Sequence, residues 1–345
     1  MKFSLFAHME RGSTEQSHSK LYEDFIALCQ MADDGAMHAI WSGEHHGMDF
    51  TIAPNPFITI ADLARRTRHV RLGTGTVVAP FWHPIKLAGE AAMADIISGG
   101  RLELGLARGA YSFEYERLVP GMNAMQAGQR LREMLPAVKG LWRGDYQHDG
   151  EFHQFPKTTS SPKPMQVPGP PIWVAARDPG SHAFAIANDC NVQVTPLWLG
   201  DGEIQTLKQR FDDACAAADK LCDSKIMLLQ HAHVAANADE VDAAAQSLSR
   251  FYCHFGAWFK NERPISQGLI QPLSGDEMAA IEMYSPAAMR SNLTIGTARE
   301  VIDRLKRYQD LGYDEYAYWI DSGMSPELKR SSLARFIDEV MPAFA

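Results

Sequence analysis

No stretch of this 345-residue chain approaches the roughly 20 consecutive apolar residues that a helix needs to cross a bilayer. Its apolar opening, Met1-Lys2-Phe3-Ser4-Leu5-Phe6, is too short for a secretory leader, so a cytoplasmic protein is expected. Basic charge is also short: Lys and Arg number 33 against 42 Asp and Glu, a net charge of −9 with no basic run. That balance leaves no electrostatic footprint for nucleic acid or for an anionic membrane surface. Cysteine is sparse. The five (Cys29, Cys190, Cys215, Cys222, Cys253) are scattered and form no Cys-x-x-Cys pair. Neither a disulfide framework nor a zinc knuckle is expected, and the thiols should be reduced. Internal repeats and low-complexity tracts are absent as well.

What the chain does contain is alternation. Apolar, often β-branched runs at residues 3–7, 39–41, 70–79, 102–107, 172–175, 192–195, 226–235 and 316–320 read as strands. Helical spacing separates them at 21–31, 57–66, 84–98, 125–142, 180–187, 201–221, 238–255, 298–311 and 327–341. Strands joined by helices pair in parallel, and eight such units fit a closed (β/α)8 TIM barrel better than an open sheet. Barrels of this size form one domain although the length alone could suggest two. Two irregular stretches interrupt the rhythm after strands four and seven. Residues 144–171 read as a hairpin insertion; residues 256–293, with Gly, Pro and Ser beside apolar residues, read as a mobile lid.

The unusual residues gather where strands end. Strand two ends in Glu44-His45-His46, strand three in Pro80-Phe81-Trp82-His83, strand four in Arg108-Gly109-Ala110-Tyr111, and strand five in Arg177-Asp178-Pro179-Gly180-Ser181. The amino ends are plain turns, such as Gly99-Gly100-Arg101. Active sites of (β/α)8 barrels lie at the carboxyl ends of the strands, so this asymmetry points to an enzyme. Residues 177–181 form a helix start whose free amides, dipole and Ser181 hydroxyl suit a phosphate, and Arg108 can add a planar cation. Adjacent strand residues face opposite ways, so at most one of His45 and His46 should enter the pocket unless the strand has ended, and there it can act as a general base. Phe6, Trp41, Phe81, Trp82, Tyr111, Trp198 and Trp319 lie at or near strand ends and can line a dry cavity. Gly73-x-Gly75 lacks the third glycine of a dinucleotide fingerprint; glycines inside a strand mark a close approach of backbone to a ligand or an unusual peptide geometry. His231 and His233 share a strand face, but His8 alone ends strand one, so no metal site is expected.

Taken in order, Met1-Lys2-Phe3, Trp41, Glu44-His45-His46, Leu72-Gly73-Thr74-Gly75-Thr76, His83-Pro84 and Gly100-Arg101-Leu102-Glu103-Leu104-Gly105 followed by Arg108-Gly109-Ala110-Tyr111 resemble the bacterial-luciferase-like flavin monooxygenases over nearly the whole chain. The resemblance implies a barrel that takes reduced FMN from a separate flavin reductase and oxygenates an organic substrate through a C4a-peroxyflavin. By the same resemblance His45 is catalytic, and Gly75-Thr76 is a cis peptide against the flavin ring. Arg108, Ala175, Arg177, Asp178 (through its backbone amide) and Ser181 bind the cofactor, with Arg130 or Arg132 as a further phosphate cation. Glu44, Phe81, Tyr111 and Trp198 are expected in the substrate pocket. Two departures matter: Ala107 stands where luciferase has a reactive cysteine, and Arg177-Asp178 where it has an acidic residue followed by serine. Together they argue against light emission on a long-chain aldehyde, and the pocket-lining aromatics suggest a small, largely apolar substrate. A coenzyme F420 oxidoreductase and a non-catalytic flavin-binding barrel are the alternatives. Relatives dimerise near residues 84–98, where Gly89, Ala91, Ala92 and Ala94 allow close helix approach, so a homodimer is expected.

Overall fold

A computed structural model describes residues 1–219, 221–260 and 262–344. Its barrel strands are β1 (Lys2–Phe6), β2 (Ala39–Ser42), β3 (Arg71–Thr74), β4 (Leu102–Ala107), β5 (Ile172–Ala175), β6 (Asn191–Val194), β7 (Ile226–Ala235) and β8 (Glu315–Trp319). Each pairs in parallel with its sequence neighbours, and β8 returns to β1, which closes an eight-strand ring. The helices that cross over outside it are α1 (His18–Asp34), α2 (Pro56–Arg66), α3 (Pro84–Ile97), α4 (Ser112–Leu118), α5 (Ala124–Arg143), α6 (Pro179–Ala187), α7 (Asp201–Ala216) and α8 (Ala238–Lys260). After them come α9 (Gly275–Ala279), α10 (Pro286–Asn292), α11 (Ala298–Asp310) and α12 (Pro326–Arg335). Among the described residues no helix is long and apolar enough to cross a membrane.

The insertion at 144–171 carries an antiparallel hairpin, Tyr146–Asp149 against Gln154–Thr158. The stretch at 256–293 is less irregular than its composition suggests. Helix α8 runs on to Lys260 because Phe255, Gly256, Ala257 and Trp258 continue its buried face, and a small hairpin with α9 and α10 follows. Two further elements escaped the sequence reading. Helix α4 is only seven residues long, and a strand at Thr294–Thr297 adds in parallel to the outer half of β7. The long run at 70–79 is broken into β3 and the short strand Val77–Val78 by a cis peptide between Gly75 and Thr76.

Packing inside the barrel explains its glycines. A Cβ on Gly73 would lie 2.1 Å from the Trp41 ring, and one on Gly105 would lie 2.0 Å from the Thr74 carbonyl oxygen. Gly73 therefore makes room for a core indole rather than for a ligand. Below that indole the floor holds two buried carboxylates. Glu315 accepts from the Trp41 indole N–H at 3.1 Å and from Ser4 Oγ, and Glu103 accepts from the Trp173 indole at 2.7 Å and pairs with Arg71. The expectation of reduced thiols needs correction: Cys215 and Cys222 form a disulfide. They are seven residues apart where α7 ends, and the turn there brings their Cα atoms to 5.4 Å, inside bonding reach. Cys29, Cys190 and Cys253 form no disulfide among the described residues.

Candidate active site

A cavity of about 570 Å³ opens at the carboxyl ends of the barrel strands. That lies within the range of small-molecule and cofactor sites. The turn after β2 points Glu44 and His45 into it and His46 away; the strand ends at Ser42, so the turn and not strand alternation sets these directions. Behind them the chain forms two acid–imidazole pairs. His45 Nδ1 lies 3.0 Å from Glu114 Oε2, and His46 Nε2 lies 2.7 Å from Glu44 Oε1. Glu114 Oε1 also accepts the backbone N–H of His46 at 2.7 Å. Both carboxylates are fully buried. Burial opposes charge on His46, but the hydrogen bond and charge of Glu44 prevail and raise its pKa above the ordinary histidine value.

Three residues share the wall with His45. Its ring centroid lies 5.0 Å from Phe50, 5.3 Å from Tyr111 and 5.8 Å from His8. Burial, with His45 and His231 nearby, drives the His8 pKa well below the ordinary value, so that ring is neutral. Burial likewise pushes the Tyr111 phenol well above its ordinary value. Phe6, Phe259 and Trp319 complete an aromatic surround.

At the other end the cavity is cationic. Arg108, Arg132 and Arg177 line it beside the start of α6, together with Ala175, Asp178 and Ser181. Asp178 caps that helix by accepting the Ser181 N–H at 3.0 Å, and the Ser181 hydroxyl donates to the Asp178 carbonyl at 2.8 Å. Partial burial opposes ionisation of Asp178, but the hydrogen bonds from Ser181 hold its carboxyl below the usual range. Arg132 reaches the Gly180 carbonyl at 3.4 Å, whereas Arg130 turns its guanidinium over the Phe152 ring and does not line the cavity. Arg177 spends its charge partly on Glu203, 2.9 Å away.

Of the expected residues, His45, Glu44, Gly75, Thr76, Tyr111, Arg108, Ala175, Arg177, Asp178 and Ser181 all meet around this one cavity. Phe81 and Trp198 lie outside it. Phe81 belongs to a 3-10 turn (Ala79–Phe81) and packs on His46 and Tyr115. Leu197 adopts φ = 57°, which sends Trp198 away to Tyr252, Phe259 and Tyr284 while Leu197 itself lines the cavity. Trp41 and Trp82 are core residues beneath and beside it. Sequence reasoning missed Glu114, Phe50 and Gln193. The only available hint of Glu114 was an acid between two aromatics, Phe113 and Tyr115, in a helix too short to show a period. Among the described residues no group of three or more His, Cys, Asp or Glu is arranged to hold a metal ion. His231 instead stacks on Trp319 with ring centroids 3.8 Å apart, and His233 pairs with Glu240 at 3.1 Å.

The donor set fits a flat, heteroatom-bearing ring with a phosphorylated tail. Arginines and a helix start occupy one end, aromatic faces the other. Gln193 Nε2 and Trp319 Nε1, from two residues of the wall, are buried with no protein partner, as polar groups awaiting a ligand would be.

This chain belongs to the luciferase-like monooxygenase family, whose sequence model matches residues 1–315. Along all 345 residues it is 66% identical to the oxygenase component of the flavin-dependent trigonelline monooxygenase of Acinetobacter baylyi, covering 96% of that protein. Among solved structures, a monooxygenase from Streptomyces bottropensis superposes with a TM-score of 0.83 at 27% identity, with all of both chains covered. The oxygenating constituent of 3,6-diketocamphane monooxygenase from Pseudomonas putida, solved in complex with FMN, superposes with a TM-score of 0.80. It is 18% identical, with 99% of this chain and 98% of that one covered, and so attests the fold.

Proposed function

We propose that this protein is the oxygenase component of a two-component flavin-dependent monooxygenase whose substrate is trigonelline or a closely related pyridinium carboxylate. The observation that carries this reading is the 66% identity to the trigonelline enzyme, sustained over the whole chain. Reduced FMN, delivered by a separate reductase in the cytoplasm, supplies with dioxygen the oxygen atom that is transferred. The chain supplies the rest. Arg108, Arg132, Ser181 and the start of α6 hold the phosphate; Gly75, Thr76 and Ala175 lie along the ring. His45 moves the proton, and Glu44 and Tyr111 shape the wall. An aromatic surround keeps water from the reacting atoms. The same surround, which suggested a largely apolar substrate, suits a pyridinium ion equally well, because aromatic faces attract a cation. A deazaflavin cofactor is not favoured, since the relative of highest identity reported above is flavin-dependent.

Two further parts belong to the proposal. Residues 256–293 close over the cavity, to which they contribute Phe259. A homodimer forms through α3, but not through its buried alanines. Ala91, Ala92 and Ala94 are buried within the chain, while Met93, Ile96 and Ile97, with Ile58 of α2, are exposed.

The test is direct. Protein supplied with chemically reduced FMN, trigonelline and 18O-labelled dioxygen should consume trigonelline and place one labelled atom in the product. Oxygen consumption with trigonelline untouched would remove the substrate assignment.

A further inference from the structure

We infer that Glu114 is a positioning residue that fixes the tautomer of His45, and so decides whether the cavity faces a proton acceptor or a proton donor. The inference rests on the reading of His45 as the group that moves the proton.

Glu114 sits in the first turn of helix α4, where an acid ordinarily serves the helix's own free amides. Here both oxygens turn elsewhere. Oε1 accepts the His46 backbone N–H at 2.7 Å, and Oε2 lies 3.0 Å from His45 Nδ1. The side chain is fully buried, so it has no alternative solvent geometry. A carboxylate only accepts, which places the proton of a neutral His45 on Nδ1 and leaves Nε2 bare. Nε2 has no hydrogen-bond partner among the described residues, and His45 lines the cavity. The groups facing this imidazole are Glu114 from α4 and Tyr111 at that helix's N-cap, His8 from the end of β1, and the Glu44–His46 pair beside it. Of these, Glu114 alone bonds to its ring.

The proton step follows. A bound reactant's X–H bond breaks, its electron pair stays on X, and an N–H bond forms at Nε2. The imidazolium so made is opposed by the Glu114 carboxylate, and returning the proton restores the starting state. This is the acid–histidine logic that recurs in hydrolases of unrelated fold, here beside a flavin-type cavity.

Glu114→Gln makes the claim testable because an amide offers one acceptor and one donor. The His46 N–H requires the acceptor. The NH2 group then faces His45 Nδ1, which must present a lone pair, and the ring proton moves to Nε2. In flavin-free, 15N-histidine-labelled protein, with His45 assigned by its loss in His45→Asn, NMR should show Nδ1–H in wild type and Nε2–H in Glu114→Gln. In turnover, kcat should fall on the order of 10²-fold, with KM and FMN affinity within about 3-fold of wild type, well under the tenfold that 1.4 kcal/mol of lost binding would cost. Glu114→Asp, which keeps a carboxylate on that side of the ring, should recover part of the rate. A wild-type ring already protonated at Nε2, an unchanged tautomer in Glu114→Gln, or an undiminished kcat would each overturn the inference. Should Glu114→Gln fail to fold, the wild-type tautomer and the rate of Glu114→Asp still decide. If trigonelline is the wrong substrate, wild type fails in the oxygenation assay while the tautomer result stands, so the two failures are distinguishable.

Discussion

Glu44 accepts the backbone N–H of Val78 at 2.8 Å, and this bond ties the end of β2 to the segment just beyond the Gly75–Thr76 peptide. The same carboxylate takes the Trp82 indole at 3.0 Å and His46 Nε2 at 2.7 Å. Glu44→Ala strands three polar groups around a buried vacancy, and the expected cost is about 3 kcal/mol. A urea midpoint indistinguishable from wild type would refute this. A pH signature accompanies it. The raised pKa of His46 means that its stabilisation is full below the ordinary histidine value. It is lost as pH rises through the folded value, so wild type should weaken from pH 6 to 8 more than Glu44→Gln does.

Glu315 carries the opposite sign to an ordinary surface acid. Burial lifts its pKa to about 7 although Ser4 and Trp41 donate to it. The folded state therefore holds a proton that the unfolded state gives up above pH 4.5, and stability falls as pH climbs from there toward 7. Glu315→Gln keeps an oxygen for both donors and removes the buried charge. It should be more stable than wild type at pH 8 by as much as about 3 kcal/mol, and nearly equal at pH 5. Thermal melts at the two pH values decide it; equal gains at both would contradict the assignment.

The cationic end of the cavity predicts a ligand-specific loss. Arg108→Ala or Arg132→Ala should weaken FMN binding by about tenfold to a hundredfold, the worth of a charge-assisted phosphate contact. Riboflavin, which lacks the phosphate, should bind both variants as it binds wild type. Arg130→Ala is the control, since its guanidinium lies on Phe152. Fluorescence titration with the two flavins reads all of this, and parallel losses for both would argue against phosphate contacts.

Residues 256–293 should become resistant to limited proteolysis when FMN is bound. The Gly268 carbonyl accepts the Asp49 N–H at 2.7 Å, and Asp49 also holds Arg11 at 2.7 Å, so three loops already meet next to Phe50 of the cavity wall. Identical cleavage rates with and without FMN would speak against closure over a ligand.

Sedimentation should show a dimer at micromolar concentration, and Met93→Lys with Ile97→Lys should shift it to monomer. Exposed apolar side chains on α3 motivate the experiment. A wild-type monomer would retire the proposal.

The alternation of strands and helices was legible in the chain because burial imposes a period on each element, and all eight barrel strands follow that pattern. The clustering of Glu44-His45-His46, Arg108 and residues 177–181 at strand ends was legible too, since a barrel sends every carboxyl end to one face. Elements too short to show a period were not. Helix α4 and the strand Thr294–Thr297 went unseen, and with α4 went Glu114.

What the amino-acid order determined by itself was the fold class and which loops would converge, because hydrophobic period and chain connectivity are local properties. Only the tertiary structure decided that Arg132 rather than Arg130 faces the cavity, that Trp198 and Phe81 turn away from it, that Gly73 serves the Trp41 indole, and that Cys215 meets Cys222. Each of these depends on where a side chain points after distant segments have packed against it, and no spacing along one chain encodes that direction.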